Sequence, residues 1–192
     1  MERFPESCEE LVGLIKDDVK RALEAGDDRT FKWFVKYALS EILPDWEIME
    51  HIIAESENGE FAADFLCVSE ESAKLVEVVT TPDRYDEQRY KTLLSLCETI
   101  ASESASCLFH SAATLCAKSR LKQRKQALGA TCGQLESSRF DLSRVQRCEI
   151  VFITPEAPPW FDLSGATQIT FGKLTDACDN RALAELIMNA VS

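Results

Sequence analysis

Two short apolar runs in this chain each hold one carboxylate: Asp64 lies between Ala63 and Phe65, and Glu77 between Val76 and Val78. An unpaired buried carboxylate is costly, so acids set into neighbouring hydrophobic segments call for opposite charge. A shared divalent cation meets that need. Hard ions such as Mg²⁺ and Mn²⁺ prefer oxygen donors, and two carboxylates, a backbone carbonyl and water form such a set. An ion held this way acidifies a bound water and offsets charge on a phosphate, and a nearby lysine can steady the charge that develops. The acids are 13 residues apart, enough for a tight turn between two adjacent strands. Period-2 geometry then sends both side chains to one side of the sheet edge. The plainer alternative puts Asp64 on an edge strand and pairs Glu77 with Lys74 or Arg84, exposed pairs worth about 0–1 kcal/mol.

The elements that must carry these acids can be read in order. Ser7 to Ala25 places Leu11, Leu14, Ile15, Val19 and Leu23 on one helical face, closed by Gly26. Arg29 to Leu43 is a second helix, with an apolar stripe at Phe31, Phe34, Val35, Ala38, Leu39 and Ile42, stopped by Pro44. Glu41 falls in its last turn, where the helix dipole favours cations over acids. Strands are expected over Asp45–Glu57, Phe61–Val68 and Ala73–Thr80, the first two joined at Asn58-Gly59, giving an antiparallel meander. A helix from Asp83 to about Ser102 follows Pro82, then another from about Cys107 to Leu128. Gly129 to Ser138 reads as a flexible loop. Cys148–Thr154 and Thr167–Phe171 are expected strands around a loop at Pro155–Gly165, and Asp176–Val191 a closing helix. The order implies an α/β (α+β) fold in one domain over 1–192: N-terminal helices 7–43, meander and helix 46–102, helix 107–128, and C-terminal strands and helix 148–191.

Composition sets outer bounds. The 192 residues are 45% hydrophobic and 28% charged, as in ordinary globular chains. No run of ~18 apolar residues suggests a membrane span, and the acidic start MERFPESCEELVGLIKDD does not read as a signal peptide. The eight cysteines form no C-x-x-C pair and are expected to be reduced thiols of a cytoplasmic protein. A net charge of −12 argues against bulk affinity for nucleic acid, though a bound cation would reverse the local field. Lys118, Arg120, Lys122, Arg124 and Lys125 are the one concentrated positive segment. They form either a solvated helix face or a phosphate-backbone track. Tyr85 and Trp160 could stack a base or fill the core. Asp86 and Glu87 could support a nearby cation, while His51 and His110 read as structural.

Asp64 on a second strand, Glu77 on a third and helices before and after resemble the PD-(D/E)XK nuclease superfamily over about Glu41 to Lys91. Three positions depart from the expected pattern: Ala63 stands in place of proline, Val79 where a lysine is expected, and Arg89 rather than a lysine directly after Glu87-Gln88. The text from Thr80 to Tyr90, TTPDRYDEQRY, followed by Lys91, is similar to the cap-snatching endonuclease domain at the N-terminus of segmented negative-strand RNA virus polymerases. It is most similar to the arenavirus form, and resembles the group whose upstream ligand is an acid rather than a histidine. The resemblance implies a metal-dependent endoribonuclease with one or two Mn²⁺ or Mg²⁺ ions on Glu41, Asp64, Glu77 and the Val78 carbonyl. It implies Lys91, or else Arg89, as the cation acting with Asp64 and Glu77. Its substrate would be single-stranded RNA (capped host mRNA), with Arg89 and the Lys118–Lys125 segment as RNA contacts. The domain would be a monomer in isolation, joined to the rest of a viral polymerase in host cytoplasm and virion, with no membrane partner. A non-catalytic interaction module and a DNA-cutting member of the superfamily remain the alternatives.

Overall fold

The computed structural model describes residues 8–80, 87–155 and 165–177. Their elements are α1 (Cys8–Glu24), α2 (Asp28–Ile42), β1 (Glu47–Ser56), β2 (Gly59–Val68), β3 (Ser72–Val78), α3 (Glu87–Glu103), α4 (Ser106–Lys118), α5 (Lys122–Glu136), a 3₁₀ turn (Leu142–Arg144), β4 (Arg147–Thr154), β5 (Ala166–Thr170) and α6 (Phe171–Ala177). The strands form one mixed sheet in the order β1-β2-β3-β4-β5. The first three are the expected antiparallel meander, while β3, β4 and β5 are parallel. Helices α3, α4 and α5 carry the chain from β3 to β4. The fold is a mixed α/β sheet flanked by helices, and no described helix is long and apolar enough to cross a membrane.

A hydrophobic cluster lies on each face of the sheet. On one, Leu93, Leu96 and Ile100 of α3, Leu108 of α4 and Leu135 of α5 meet Ala63, Leu66, Leu75 and Phe152. On the other, Val19 of α1, Phe31, Phe34, Val35, Ala38 and Leu39 of α2, and Leu174 of α6 meet Phe65, Cys67, Val76 and Val151. The apolar stripe of α2 is buried as its helical spacing predicts. Asp27 caps that helix, accepting from the Arg29 amide at 3.1 Å and the Thr30 hydroxyl at 2.9 Å. Phe171 packs edge-on to Phe31 and Phe34, with centroids 5.8 and 5.3 Å away.

The region after α3 corrects the sequence reading. The helix expected over 107–128 breaks at Ser119 to Leu121, and the loop expected over Gly129 to Ser138 is helical as far as Glu136. Tertiary packing overrides the two glycines: Leu128, Thr131 and Leu135 are buried, and neither Gly129 nor Gly133 has a neighbour that a Cβ would strike. Side chains of these helices also satisfy the outer edge of β1. The Thr131 hydroxyl donates to the His51 carbonyl (3.2 Å) and lies 3.3 Å from the Ile53 amide, its donor. Gln134 brackets Glu50, accepting from its amide and donating to its carbonyl, both at 2.8 Å. The Glu55 amide donates to Ser111 at 2.6 Å. An edge strand left bare is a pairing hazard, and here helices close it. The first residues of the helix expected from Asp83, and residues 178–191 of the expected closing helix, lie outside the described residues.

Phe34 is fully buried against the sheet and Phe171. Truncation to Phe34→Ala is expected to destabilise the chain by about 3–5 kcal/mol, read as a lower urea midpoint at unchanged slope.

Candidate functional site

The β2–β3 ladder runs from Val68↔Ala73 to Phe65↔Val76 and stops. Beyond it β2 continues with β1 as far as Gly59, while β3 continues beside β4 to Val78. The sheet forks, and Asp64 and Glu77 are the next residue past the fork on each strand. The Asp64 side chain replaces the missing ladder: its Oδ2 accepts from the Val78 amide at 2.8 Å. That bond also fixes Val78, the residue whose carbonyl was expected among the ligands.

Strict alternation fails at this level of the sheet. Phe61 and Ala63 belong to the α3-side cluster, yet Phe65 belongs to the α2-side one. A switch therefore falls at Asp64. Its neighbour on β1 is His51, which has φ +52 and is skipped between the pairs Glu50↔Phe65 and Ile52↔Ala63. A left-handed residue inside a strand re-aims the side chains beyond it. One consequence departs from the period-2 expectation. Asp64 is gripped from α2, where Lys32 Nζ lies 2.5 Å from Oδ1. Glu77 is gripped from α3, on the other face, by the Arg89 guanidinium, whose Nε and Nη2 both reach Oε1 (Nε at 2.7 Å). Arg89 lies over the Phe61 ring, 4.9 Å from its centroid. The start of α3 is tied to the β1–β2 turn by Gln88 Nε2, which donates to the Asn58 carbonyl at 3.1 Å.

Both acids are almost wholly buried, Asp64 at 6% and Glu77 at 3% exposure. Among the described residues Glu77 Oε2 has no hydrogen-bond partner. Burial, and after it the negative charge of Asp64, pushes the Glu77 carboxyl up to about 8, against the pull of Arg89 and Lys32. Of the plain surface pairings considered for Glu77, Lys74 pairs instead with Glu149 on β4, and Arg84 lies outside the described residues.

The other expected residues are spread more widely. Lys91 is bonded to Glu87 on its own helix at 2.7 Å, with a half-exposed side chain. Two residues along a helix is about 200° of rotation, so Lys91 and Arg89 cannot share a face, and Arg89 is the one on Glu77. Glu41 lies nine residues beyond Lys32 on α2, about two and a half turns, and so on the opposite side of the helix. The acid of α2 on the same side is Asp28, which lines a cleft with Lys32 and Asp64 and accepts from the Thr80 hydroxyl at 2.5 Å. Lys118, Arg120, Lys122, Arg124 and Lys125 cluster, exposed, at the α4–α5 junction, within a stretch from Ser104 to Leu135 that contains no acid. Arg124 reaches Glu60 at the start of β2, four residues before Asp64. Tyr85, Asp86 and Trp160 lie outside the described residues. Sequence reasoning missed Lys32, Asp28 and the exposed Trp33 of α2. The i,i+4 pairs Asp28/Lys32 and Lys32/Lys36 were the available signal, and polar helix faces carry such pairs routinely.

Whether a divalent ion fits depends on the donors. The two carboxylates are the right chemistry for a hard cation, and the bare Oε2 of Glu77 is an oxygen in want of a partner. Among the described residues no three His, Cys, Asp or Glu groups converge as a ready cage. An ion here would take Asp64 and Glu77, with water and a carbonyl such as that of Val78 completing its shell.

The raised Glu77 carboxyl has a definite pH consequence. Unfolded, it releases its proton near its ordinary value of 4.5; folded, near about 8. The stabilisation from retaining that proton is complete below the lower value and is lost as pH rises through the upper one. In chelator, urea-unfolding free energy is expected to fall between about pH 5 and 8.5, and Glu77→Gln to flatten that slope relative to the parent.

No family model matches this chain, and searches of curated proteins and of solved structures return no match to it.

Proposed function

We propose that the chain is a divalent-metal-dependent endonuclease of the PD-(D/E)XK type acting on single-stranded RNA, in the manner of a cap-snatching module of a viral polymerase. The observation that carries this reading is the pair of buried carboxylates at the fork of the sheet, one of them with an oxygen that no described residue bonds. A mixed sheet with an antiparallel meander flanked by helices supports it, as does the placement of the acids on the second and third strands. When bound, Mn²⁺ or Mg²⁺ would supply an acidified water and charge neutralisation at the scissile phosphate.

The chain's own groups have distinct parts in this proposal. Asp64 and Glu77 would hold the ion. Lys32 offers a compact point charge beside Asp64, the role a strand lysine would have filled at Val79. Arg89 sets the position of Glu77 and keeps it compatible with burial. The cations at the α4–α5 junction would track the RNA backbone toward the acids.

A thermal melt tests the centre of this reading. At saturating Mn²⁺, about 100 times the dissociation constant, mass action adds ~2.7 kcal/mol, a rise of roughly 5–10 °C for a chain of this size. Asp64→Ala is expected to remove that rise and RNA cleavage together. Lys32→Ala should slow cleavage at least ~100-fold, the scale of removing one charge-stabilising donor, whereas Lys91→Ala should leave it within about twofold. Cleavage of duplex DNA in preference to RNA would favour a DNA-cutting member of the superfamily instead.

One observation favours a second reading, a non-catalytic module of the same architecture. Lys32 and Arg89 already neutralise both acids, and Val79 replaces the strand lysine. Under that reading Mn²⁺ produces no stabilisation and RNA stays intact at millimolar metal.

A further inference from the structure

Trp33 stands out on α2. Among the described residues only Leu14, Trp33 and Leu121 are large hydrophobics left exposed, Trp33 at 41%. Its ring lies between two hollows. One, of about 340 Å³, is shared with Lys32, Lys36, His51 and Asp64, and the other, of about 460 Å³, with Asp27, Arg29 and Thr30. Tyr37, one turn on, backs it at 4.6 Å between centroids and an angle of 58°. Arg29, Lys32 and Lys36 recur at i, i+3 and i+7 beside the aromatic pair at i+4 spacing. Aromatic rings interleaved with cations are how proteins hold unpaired nucleotides, because every base offers a π-face. A protein partner would call for a contiguous apolar patch of several hundred Å², whereas Trp33 and Tyr37 are two rings bordered by Arg29, Lys32 and Lys36.

We infer that Trp33, backed by Tyr37, is a stacking platform for one unpaired nucleobase of a single-stranded nucleic acid whose backbone passes the Asp64 side of the cleft. This inference rests on the proposed nuclease reading for the identity of the strand, but not for the stacking itself. Charge contributes little to this subsite. Lys32 is paired with Asp64 and Lys36 with Glu50, which leaves Arg29, 3.8 Å from Asp27, as the most exposed cation. Binding here therefore depends on the base more than the phosphate, and its salt dependence is shallow compared with a basic track.

The test uses the full chain in chelator, where no metal-dependent cutting occurs, and fluorescein-labelled oligouridylate, oligoadenylate and an abasic ribose-phosphate oligomer of equal length. Trp33→Ala is expected to weaken binding of both base-bearing oligomers by about 5- to 150-fold, and Trp33→Phe by only a few-fold. The abasic oligomer should bind the parent as poorly as the base-bearing ones bind Trp33→Ala. Equal binding by parent and Trp33→Ala, or equal affinity for abasic and base-bearing oligomers, overturns the inference. The readout is separate from metal chemistry. Trp33-dependent binding without Mn²⁺ stabilisation upholds the platform and removes the nuclease reading. Mn²⁺-dependent cleavage with a KM unchanged in Trp33→Ala does the reverse.

Discussion

Two like charges cannot be buried side by side without opposite charge brought to them, and much of this structure depends on that constraint. Asp64 and Glu77 sit at 6% and 3% exposure just past the end of the β2–β3 ladder, close enough for the charge of Asp64 to raise the Glu77 carboxyl. Their cations come from different layers, Lys32 from α2 and Arg89 from α3. Each helix has to be immobile for its cation to count. Helix α2 is fixed by Phe31, Phe34, Val35, Ala38 and Leu39, all almost fully buried, and α3 by Leu93, Leu96 and Ile100 together with the tie from Gln88 to Asn58. Removing one partner from a buried ion pair costs far more than the pair's net worth, because the remaining charge is stranded. The two helical layers and the forked sheet between them therefore act as one unit around the acids.

Helices α4 and α5 pack on β1, which carries neither acid, yet they share in the arrangement. Through Thr131, Gln134 and Ser111 they satisfy backbone groups of β1 on both sides of His51. His51 at φ +52 is a strained conformation for a residue with a side chain. It persists because its carbonyl is held by Thr131 and its neighbours Glu50 and Ile52 keep their ladder partners. The strand switch that turns Asp64 toward α2 thus depends on hydrogen bonds made on the far side of β1.

Sequence periodicity was enough for α2, which buries the face its spacing spells out. The strands and the turn at Asn58-Gly59 lie where they were expected, and α1 is the expected helix, but Leu14 of its apolar stripe is exposed. Asp64 and Glu77 could be found for a related reason: an acid within an apolar run is conspicuous. Other features depended on tertiary structure. Gly129 and Gly133 read as loop, and only the burial of Leu128 and Leu135 and the grip on β1 make that segment helical. Lys32 and Arg89 occupy polar helix positions indistinguishable from solvated ones until the fork places Asp64 and Glu77 beneath them. Glu41 stood out by its unfavourable place in the helix dipole, but nine residues of α2 turn it away from Lys32. Lys91 was the nearest lysine in the text, and the helical period gives its place to Arg89.

The balance of charge at the fork bears on what the cations are for. With both acids ionised, Lys32 and Arg89 make the cluster formally neutral, and burial leaves Glu77 inclined to keep a proton until about pH 8. On the proposed reading, a divalent ion would take up the two carboxylates and leave the two side-chain cations in excess. An excess of positive charge in a poorly solvated fork is unfavourable in the resting protein and becomes favourable when a phosphodiester, and then its more highly charged transition state, arrives. The same two cations would then hold the acids in place before the substrate binds and meet its charge afterwards. A chain of net charge −12 would have reason to confine such an excess to one fork rather than spread it over the surface.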